Sequence, residues 1–569
     1  MIELRNVSFS YPDTGEKILD NLSVIIPPGS FVAVVGDNGA GKSTFCKLLN
    51  GIIPNFLDGD LQGEIRIWDQ AISEKTPAEL AHTIGYVYQD FENQLIRPRV
   101  LDDASYGLLN EGEERYEEIT MEILRTLDLA HVSDEYVWQL SGGQKHLLAL
   151  AGVLVMSPKI IVLDEPIAQL DPTHARKIYD NLAFLNQKLG KTIVVIEHNS
   201  EYISRYCDQV LFMKNRQIEW LLPVKEAFQQ VLQLIEGGVY PPQITLLGHG
   251  LSEKGYDSSG DLPISIDEGI GYINRRFDMS RSRQIPSDLK RNQAKGKSIV
   301  EMKEVSLSYK KIDQGAYSAL NNLNLTLHAG ERIALIGNNG AGKSSMLKML
   351  IGLLKPDSGQ IVLDGQNTKK MKMERISDKV GYVYQNPENM FIEDSIEKDI
   401  AFSLKARGIK NYKNITEQLL QQFNLMDIRQ RDGRLLSGGQ MRRASLAIGV
   451  SLNPKVLLLD EPTASLDMAT RKRITHTLKE VADTVETIVI ATHDMQLVAE
   501  WANRVIVLHD GQVIGDGSRE EIFADEKLLQ RAGIVAPEIV QLSQRLNGRI
   551  CYSIQEFLDY LEKEAVLFV

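Results

Sequence analysis

The chain has 569 residues, which at roughly 100–200 residues per domain argues for three or four domains and at least two full cores. Acidic side chains outnumber basic ones, 76 against 63, for a formal net charge of −13, the wrong sign for a protein whose main partner is a phosphate backbone, so no nucleic acid is expected. With 43% apolar and 24% charged residues and only three cysteines, Cys46, Cys207 and Cys551, the composition is globular. It excludes a disulfide framework or an iron–sulfur pair and points to a reducing setting. No run approaches the roughly 18–20 apolar residues of a membrane span, so any span this protein works with is expected on another chain.

The opening strand pattern, MIELRNVSFSY, returns from Ile299 as IVEMKEVSLSY. From there the chain repeats itself in order. GDNGAGKST at 36–44 returns as GNNGAGKSS at 337–345, GYVYQ at 85–89 returns at 381–385, LSGGQ at 140–144 returns at 436–440, and LDEP at 163–166 returns at 459–462. Lys42 and Lys343 are 301 apart; Gln89 and Gln385, Ser141 and Ser437, Asp164 and Asp460 are each 296 apart; His198 and His493 are 295 apart. A register held this closely means duplicated domains of one fold. The expected division is a first domain at 1–237, a linker or small accessory element at 238–298, a second domain at 299–535 and a C-terminal extension at 536–569. The 238–298 segment holds Pro241, Pro242, Pro263 and Pro286 with many Gly and Ser and shows no sustained period. Its end carries Arg275, Arg276, Arg281, Arg283, Lys290, Arg291, Lys295 and Lys297, a charge run best read as a solvated face.

Within each copy, β-branched apolar runs at 31–35, 160–163 and 192–196, matched at 332–336, 456–459 and 487–491, are short enough for buried parallel strands. Each copy therefore reads as α/β layering with an inserted helical region.

The pattern G-x-x-x-x-G-K-S follows a buried-strand pattern and precedes a helix in both copies, the context of a P-loop. Its residues Gly36, Asn38, Gly39, Gly41, Lys42, Ser43 and Thr44, and Gly337, Asn339, Gly340, Gly342, Lys343, Ser344 and Ser345, are the expected ATP site. The glycines let successive N–H groups turn toward phosphate oxygens, and the following helix adds the positive end of its dipole. Lys42 and Lys343 should reach the β- and γ-phosphates, and Ser43 and Ser344 should ligate magnesium. IIVLDE at 160–165 and VLLLDE at 456–461 put Asp164 and Asp460 at a strand's carboxyl edge, where a magnesium contact is expected, and Glu165 and Glu461 one residue on, as general bases for water. Ser141, Gly142, Gly143 and Gln144, with Ser437, Gly438, Gly439 and Gln440, open helices and present a serine hydroxyl and bare amides, a second anion site per copy. One nucleotide cannot easily satisfy both surfaces of one domain; two domains facing head to tail can.

With these motifs in order, both copies resemble the ATP-binding cassette (ABC) ATPase, carrying Walker A, Q-loop, LSGGQ signature, Walker B, D-loop and H-loop. The resemblance implies an α/β fold of two tandem P-loop NTPase domains, each with an inserted helical subdomain, joined here by an irregular linker. It implies ATP hydrolysis with ATP and Mg2+, with Gln89 and Gln385 sensing the metal and γ-phosphate, His198 and His493 contacting the γ-phosphate, Asp171 and Asp467 in the D-loops, and Tyr11 and Tyr309 stacking on adenine. The copies are not identical: EPIAQLD and EHN stand in the first where EPTASLD and THD stand in the second, and KHLLAL follows the first signature where MRRASL follows the other. No catalytic side chain is lost in either.

Two classes of cassette protein then compete. A soluble tandem protein acting on ribosomes typically carries a long charged helical linker, LSGGE-like signatures and EPTNHLD, none of which is present. The segments VYQDFENQLI and VYQNPENMFI, followed by DDASYGL and KDIAFSL, and the EPIAQLD of the first half look like the fused ATPases of energy-coupling-factor (ECF) importers of vitamins, vitamin precursors or metal ions. This resemblance implies a motor on the cytoplasmic face of the membrane, pairing its own two domains. Its partners would be integral membrane subunits, a transmembrane coupling protein and a substrate-binding membrane protein. An exporter or another importer is the alternative.

Overall fold

The structure is a computed structural model of the chain. It describes all residues except 13–14, 69, 169, 257–259, 280–295, 311–315, 465, 547–548, 565 and 568–569. The basic run expected at 275–297 lies largely outside the described residues, as do Gln169 and Ser465 of the two D-loops.

The chain forms two compact units, Met1–Arg276 and Phe277–Val569. In the first, a six-stranded sheet runs in the order Gln217–Pro223, Gln209–Lys214, Phe31–Gly36, Thr192–Ile196, Ile160–Asp164 and Ile84–Val87. All neighbours are parallel except the Gln217–Pro223 edge. Side chains alternate between two cores, as a parallel sheet covered on both faces demands. Phe31, Ala33, Val35, Ile161 and Leu163 face the helical layer with Leu147 and Leu124. Val32, Val34, Ile160 and Val162 face the small antiparallel sheet through Ile2, Leu4 and Phe9. That second sheet is ordered Leu19–Ile26, Ile2–Ser10, Asp60–Ile67 and Gln70–Ala71. Because it and the helical insert share cores with the large sheet, the chain makes two units where its length alone argues for three or four domains.

The second unit repeats the plan. Its large sheet is ordered Val380–Val383, Val456–Asp460, Thr487–Ala491, Arg332–Ile336, Arg504–His509 and Gln512–Gly517, and Val300 and Met302 of the small sheet share a core with Ile333, Leu335 and Leu458. The strands expected from apolar runs are all present. The helical insert between Walker A and Walker B is built from Val100–Ala104, Tyr106–Glu111, Tyr116–Thr126 and Gly142–Leu154 in the first unit, and from Ile396–Ala406, Tyr412–Gln422 and Gly438–Val450 in the second.

Between 238 and 298, where a linker or small accessory element is expected, the described residues include regular structure. The segment contains helices Gln243–Glu253 and Ile266–Asn274, with Ile244, Leu247, Leu251, Tyr272 and Ile273 buried, and the Tyr272 hydroxyl donates to the Gly248 carbonyl at 3.4 Å. Pro242 sits at the N-cap of the first helix, where a missing N–H costs nothing, so it starts the helix and does not break it. The same element recurs beyond 535: Pro537 caps Glu538–Arg545, and Ile539, Leu542 and Leu546 stand 295 residues after Ile244, Leu247 and Leu251. The duplication thus extends through the accessory helices.

The buried sheet sets the stability. Leu458→Ala, at a position with no exposure, should cost about 3 kcal/mol in denaturant titration through lost burial and the cavity left behind. Leu435→Ala, at a position 73% exposed, should move stability by less than about 0.5 kcal/mol; comparable losses would contradict this packing.

Candidate active sites

Each strand that enters the site ends on a chemically loaded residue. The strand Phe31–Gly36 leaves the sheet through Gly36 at φ 151°, where a Cβ would lie 2.2 Å from the Met213 carbonyl oxygen, and Gly337 repeats this at φ 150° against Leu508. Only glycine lets the loop turn there. The loop then wraps the lysine. Lys42 Nζ donates to the carbonyls of Gly36 at 2.8 Å and Asp37 at 2.9 Å, and Lys343 Nζ to those of Gly337 and Asn338. Gly41 and Gly342 cap the helices Lys42–Leu49 and Lys343–Leu350 in the left-handed conformation, so each loop runs directly into a helix start, the end of a helix that favours anions. Tyr11 and Tyr309 stand beside the same helices: their hydroxyls lie 3.3 Å from Thr44 Oγ1 and 3.1 Å from Ser345 Oγ.

Asp164 and Asp460 end their strands, and Glu165 and Glu461 follow with φ of 50° and 48°. A non-glycine residue in the left-handed region is strained by roughly 1–2 kcal/mol, and both units hold the strain with a ladder bond, Glu165 N–H to Ile196 O at 3.1 Å and Glu461 N–H to Ala491 O at 2.9 Å. The turn re-aims the carboxylate. Glu165 Oε1 meets His198 Nε2 at 3.1 Å and its Oε2 accepts from Gln89 Nε2 at 2.9 Å. Glu461 Oε2 meets His493 Nδ1 at 2.9 Å. Sequence brings together the base and the histidine only as separate motifs; the positive φ that joins them leaves no trace in residue type.

Burial alone would raise both glutamates, but in each unit partners outweigh it and hold the carboxyl below its ordinary range. For Glu165 these are His198, Lys42 and Gln89; for Glu461 they are His493 and Lys343. His493 is the reciprocal case: burial pulls it down, yet the Glu461 carboxylate leaves it above the ordinary imidazole value. Asp164 and Asp460 are pushed up, chiefly by burial.

The signature helices begin at Gly142 and Gly438, with Ser141 and Ser437 as N-caps. Ser141 Oγ accepts from Gln144 N–H at 3.3 Å while Gln144 Oε1 accepts from Ser141 N–H at 2.9 Å, and Ser437 and Gln440 form the same reciprocal box. The signature glutamine thus closes a capping box, and the serine O–H remains available to donate to an anion. Asp171 caps its helix through Thr173 and His174, the His174 ring at 2.8 Å, and Asp467 caps through Thr470. Burial opposes, but does not prevent, a raised His174 pKa, whose main cause is the Asp171 hydrogen bond.

This is the architecture of a P-loop ATPase, with a glycine loop wrapped on a lysine, a Walker B carboxylate pair and a serine-capped signature helix. The family model described as ABC transporter matches residues 19–168 and 320–464. A putative ABC transporter ATP-binding protein of Caldanaerobacter subterraneus is 31% identical over 567 residues, covering 98% of each chain, and one from Methanosarcina mazei is 31% identical over 96% of this chain and 94% of its own. A putative HMP/thiamine import ATP-binding protein of Bacillus subtilis is 30% identical over 94% of this chain and 95% of its own. The chain belongs to the ABC transporter family as an ATP-binding, ATP-hydrolysing protein with two tandem cassette domains.

The ion pair at the base gives a direct check on the geometry. Glu461 stabilises the fold above its unfolded pKa and His493 does so below its own, so the pair is worth most between ordinary glutamate and imidazole values, near pH 4.5 to 6.5. In Glu461→Gln, His493 followed by NMR should titrate lower than in wild type, since the carboxylate that chiefly opposes burial is gone and only Asp494 still raises it; an unmoved titration would contradict the pairing.

Proposed function

We propose that this chain is the fused motor of an ECF-type importer of a vitamin, vitamin precursor or metal ion, acting on the cytoplasmic face of the membrane with integral membrane subunits as partners. What supports this most is that both units keep a complete and similarly held set of groups, Lys42 with Glu165 and His198, and Lys343 with Glu461 and His493. The import reading draws on the similarity to a protein named as an HMP/thiamine import ATPase. Among the described residues no helix is long and apolar enough to cross a membrane, so the work must be passed to another chain. Each helical insert exposes large apolar side chains suited to receive one: Ile96 at 65% and Trp138 at 58% in the first, Ile392 at 66% and Leu435 at 73% in the second. A hollow of about 410 Å³ bounded by Glu393, Lys398 and Phe402 lies in the second insert.

In this reading the P-loop of each unit holds ATP against the signature of the other. Lys42 and Lys343 hold the terminal phosphates, and the Ser141 and Ser437 hydroxyls donate to the γ-phosphate of the facing nucleotide. Glu165 and Glu461, ionised by their partners, orient water and accept its proton, and His198 and His493 bridge base and γ-phosphate. Tyr11 and Tyr309 stack on adenine, and Asn38, Gly39, Asn339 and Gly340 line the cradle. The residues fit a divalent cation: Asp164 Oδ1 is buried without a hydrogen-bond partner, and Ser344 Oγ lies 3.2 Å from Asp460 Oδ1. Among the described residues no cluster of three or more His, Cys, Asp or Glu side chains could hold a metal, so the ion would take further ligands from phosphate and water, as magnesium does. Magnesium would neutralise charge on the transferred phosphoryl group, with Ser43, Gln89 and Asp164, or Ser344, Gln385 and Asp460, as the protein ligands. Losing the γ-phosphate that both units hold releases closure, and that release moves the membrane subunit.

Glu165→Gln and Glu461→Gln should each bind ATP with affinity near wild type and lower kcat by about 10²-fold or more, and the double variant should accumulate ATP-loaded protein. Single-turnover hydrolysis unchanged in the double variant would remove both glutamates from the mechanism.

The partner is tested separately. The native protein should fractionate with membranes and leave them when the membrane subunits are deleted. Cysteines placed beside Lys42 and Ser437 should crosslink within one chain on adding ATP, because tethering raises the local concentration of the second domain. ATP-dependent sedimentation with ribosomes, lost on neutralising Arg275, Arg276, Arg281 and Arg283, would make the ribosomal alternative correct.

A further inference from the structure

In the second unit the signature helix carries a buried arginine that ends on the Q-loop. Arg442 is 3% exposed, and its guanidinium donates from Nη1 to the Tyr384 carbonyl at 3.1 Å and from Nη2 to the Gln385 carbonyl at 2.9 Å. A rigid planar donor spread over two successive carbonyls fixes the backbone from which the Gln385 side chain departs. Burial lowers the Arg442 pKa to about 10, which leaves it charged at neutral pH.

The position 296 residues earlier holds His146, which makes neither bond. His146 is 2% exposed, its ring centre lies 4.7 Å from that of Phe91, and neither ring nitrogen has a hydrogen-bond partner. Burial pulls its pKa down to about 4, so it is neutral. The first unit fastens its loop at other points. Gln94, where the second unit has Met390, accepts from Tyr88 N–H at 3.2 Å and donates to the Tyr86 carbonyl at 3.3 Å. Lys145, where the second has Met441, pairs with Glu92 at 2.6 Å. Both ties spare the backbone of Gln89, whose amide reaches Glu165 at 2.9 Å. Among the described residues no such bond joins Gln385 to Glu461.

We propose that Arg442 is a positioning residue for Gln385, tying that glutamine to the signature helix of its own unit, and that the first unit has exchanged this tie for Gln94 and Lys145, leaving Gln89 to pivot onto the base. The two ATP sites then differ in how their Q-loop glutamines respond to movement of the signature helix. In the second unit a displacement of that helix carries Gln385 with it; in the first it pulls on Glu92 while Gln89 moves independently. The proposal rests on Gln89 and Gln385 being the metal- and γ-phosphate-sensing groups of the proposed function.

The test uses the full chain and two readouts. Without nucleotide, hydrogen exchange of the 384–390 segment should quicken on the order of tenfold in Arg442→His, the effect of losing a charged hydrogen bond. Arg442→Lys, which can reach one carbonyl, should fall between. The double variant His146→Arg with Gln94→Met should slow exchange around Gln89. In the second readout, Arg442→His should raise the magnesium concentration for half-maximal hydrolysis several-fold, while ATP binding in EDTA stays as in wild type. Unchanged loop exchange, or a rise spread evenly over the second unit, would overturn the proposal by reducing Arg442 to a packing role. A local rise with no magnesium shift would uphold the tie and instead overturn the assignment of Gln385 to the metal site.

Discussion

A parallel sheet buried on both faces has one edge at which every strand delivers its carboxyl end, and that edge is the constraint on which the rest of each unit depends. Hydrogen bonding to neighbours on both sides fixes the height at which each strand stops. In the first unit Gly36, Asp164 and Glu165, His198 and Gln89 are therefore delivered together, although they are spread over more than 160 residues of sequence. The glycine loop and the strained glutamate are local turns made at that edge, and their cost is small beside the burial of the strands themselves.

The same edge explains why a carboxylate buried near a phosphate site stays ionised. Glu165 and Glu461 lie one residue beyond the strand end, and the positive φ swings each toward a histidine and the P-loop lysine. Asp164 and Asp460, still on the strand, are pushed the other way, chiefly by burial and also by the glutamate beside each. Two adjacent acids at one strand end are thus shifted in opposite directions by their surroundings.

Most of the large sheet was legible in the sequence because runs such as 31–35 and 456–459 are apolar on both faces, and their shortness and their glycine or acidic boundaries favour a buried strand over a buried helix segment. The P-loop and the signature cap were legible because phosphate chemistry demands those residue types at that spacing. Other features were not. The accessory helix Gln243–Glu253 hides its i, i+3, i+7 apolar spacing behind Pro241, Pro242, Gly248 and Gly250, and only comparison with 537–546 exposes it. The left-handed glutamates were invisible because Glu has no preference that marks them. Gln144 and Gln440, expected at the second anion site, also close a capping box on the helix start through their Oε1 atoms, a role that their S-x-x-Q spacing allows.

Fusing the two cassettes changes what sequence drift can do. In a dimer of identical chains a substitution enters both sites at once, whereas here the two units carry different residues at matched positions, each with its own local hydrogen bonds. Glu197 accepts from the backbone N–H groups of His198 and Asn199 and from the Tyr179 hydroxyl, where the second unit uses Thr492 to hold Asp494. His174 closes on Asp171 where Thr470 closes on Asp467. These exchanges lie beside the loops that carry His198 and Asp171, and none of them replaces Lys42, Glu165 or His198 or their counterparts Lys343, Glu461 and His493. The two units thus keep the same lysine, glutamate and histidine while the groups beneath those loops differ, a difference that one chain carrying both units permits and two identical chains would not.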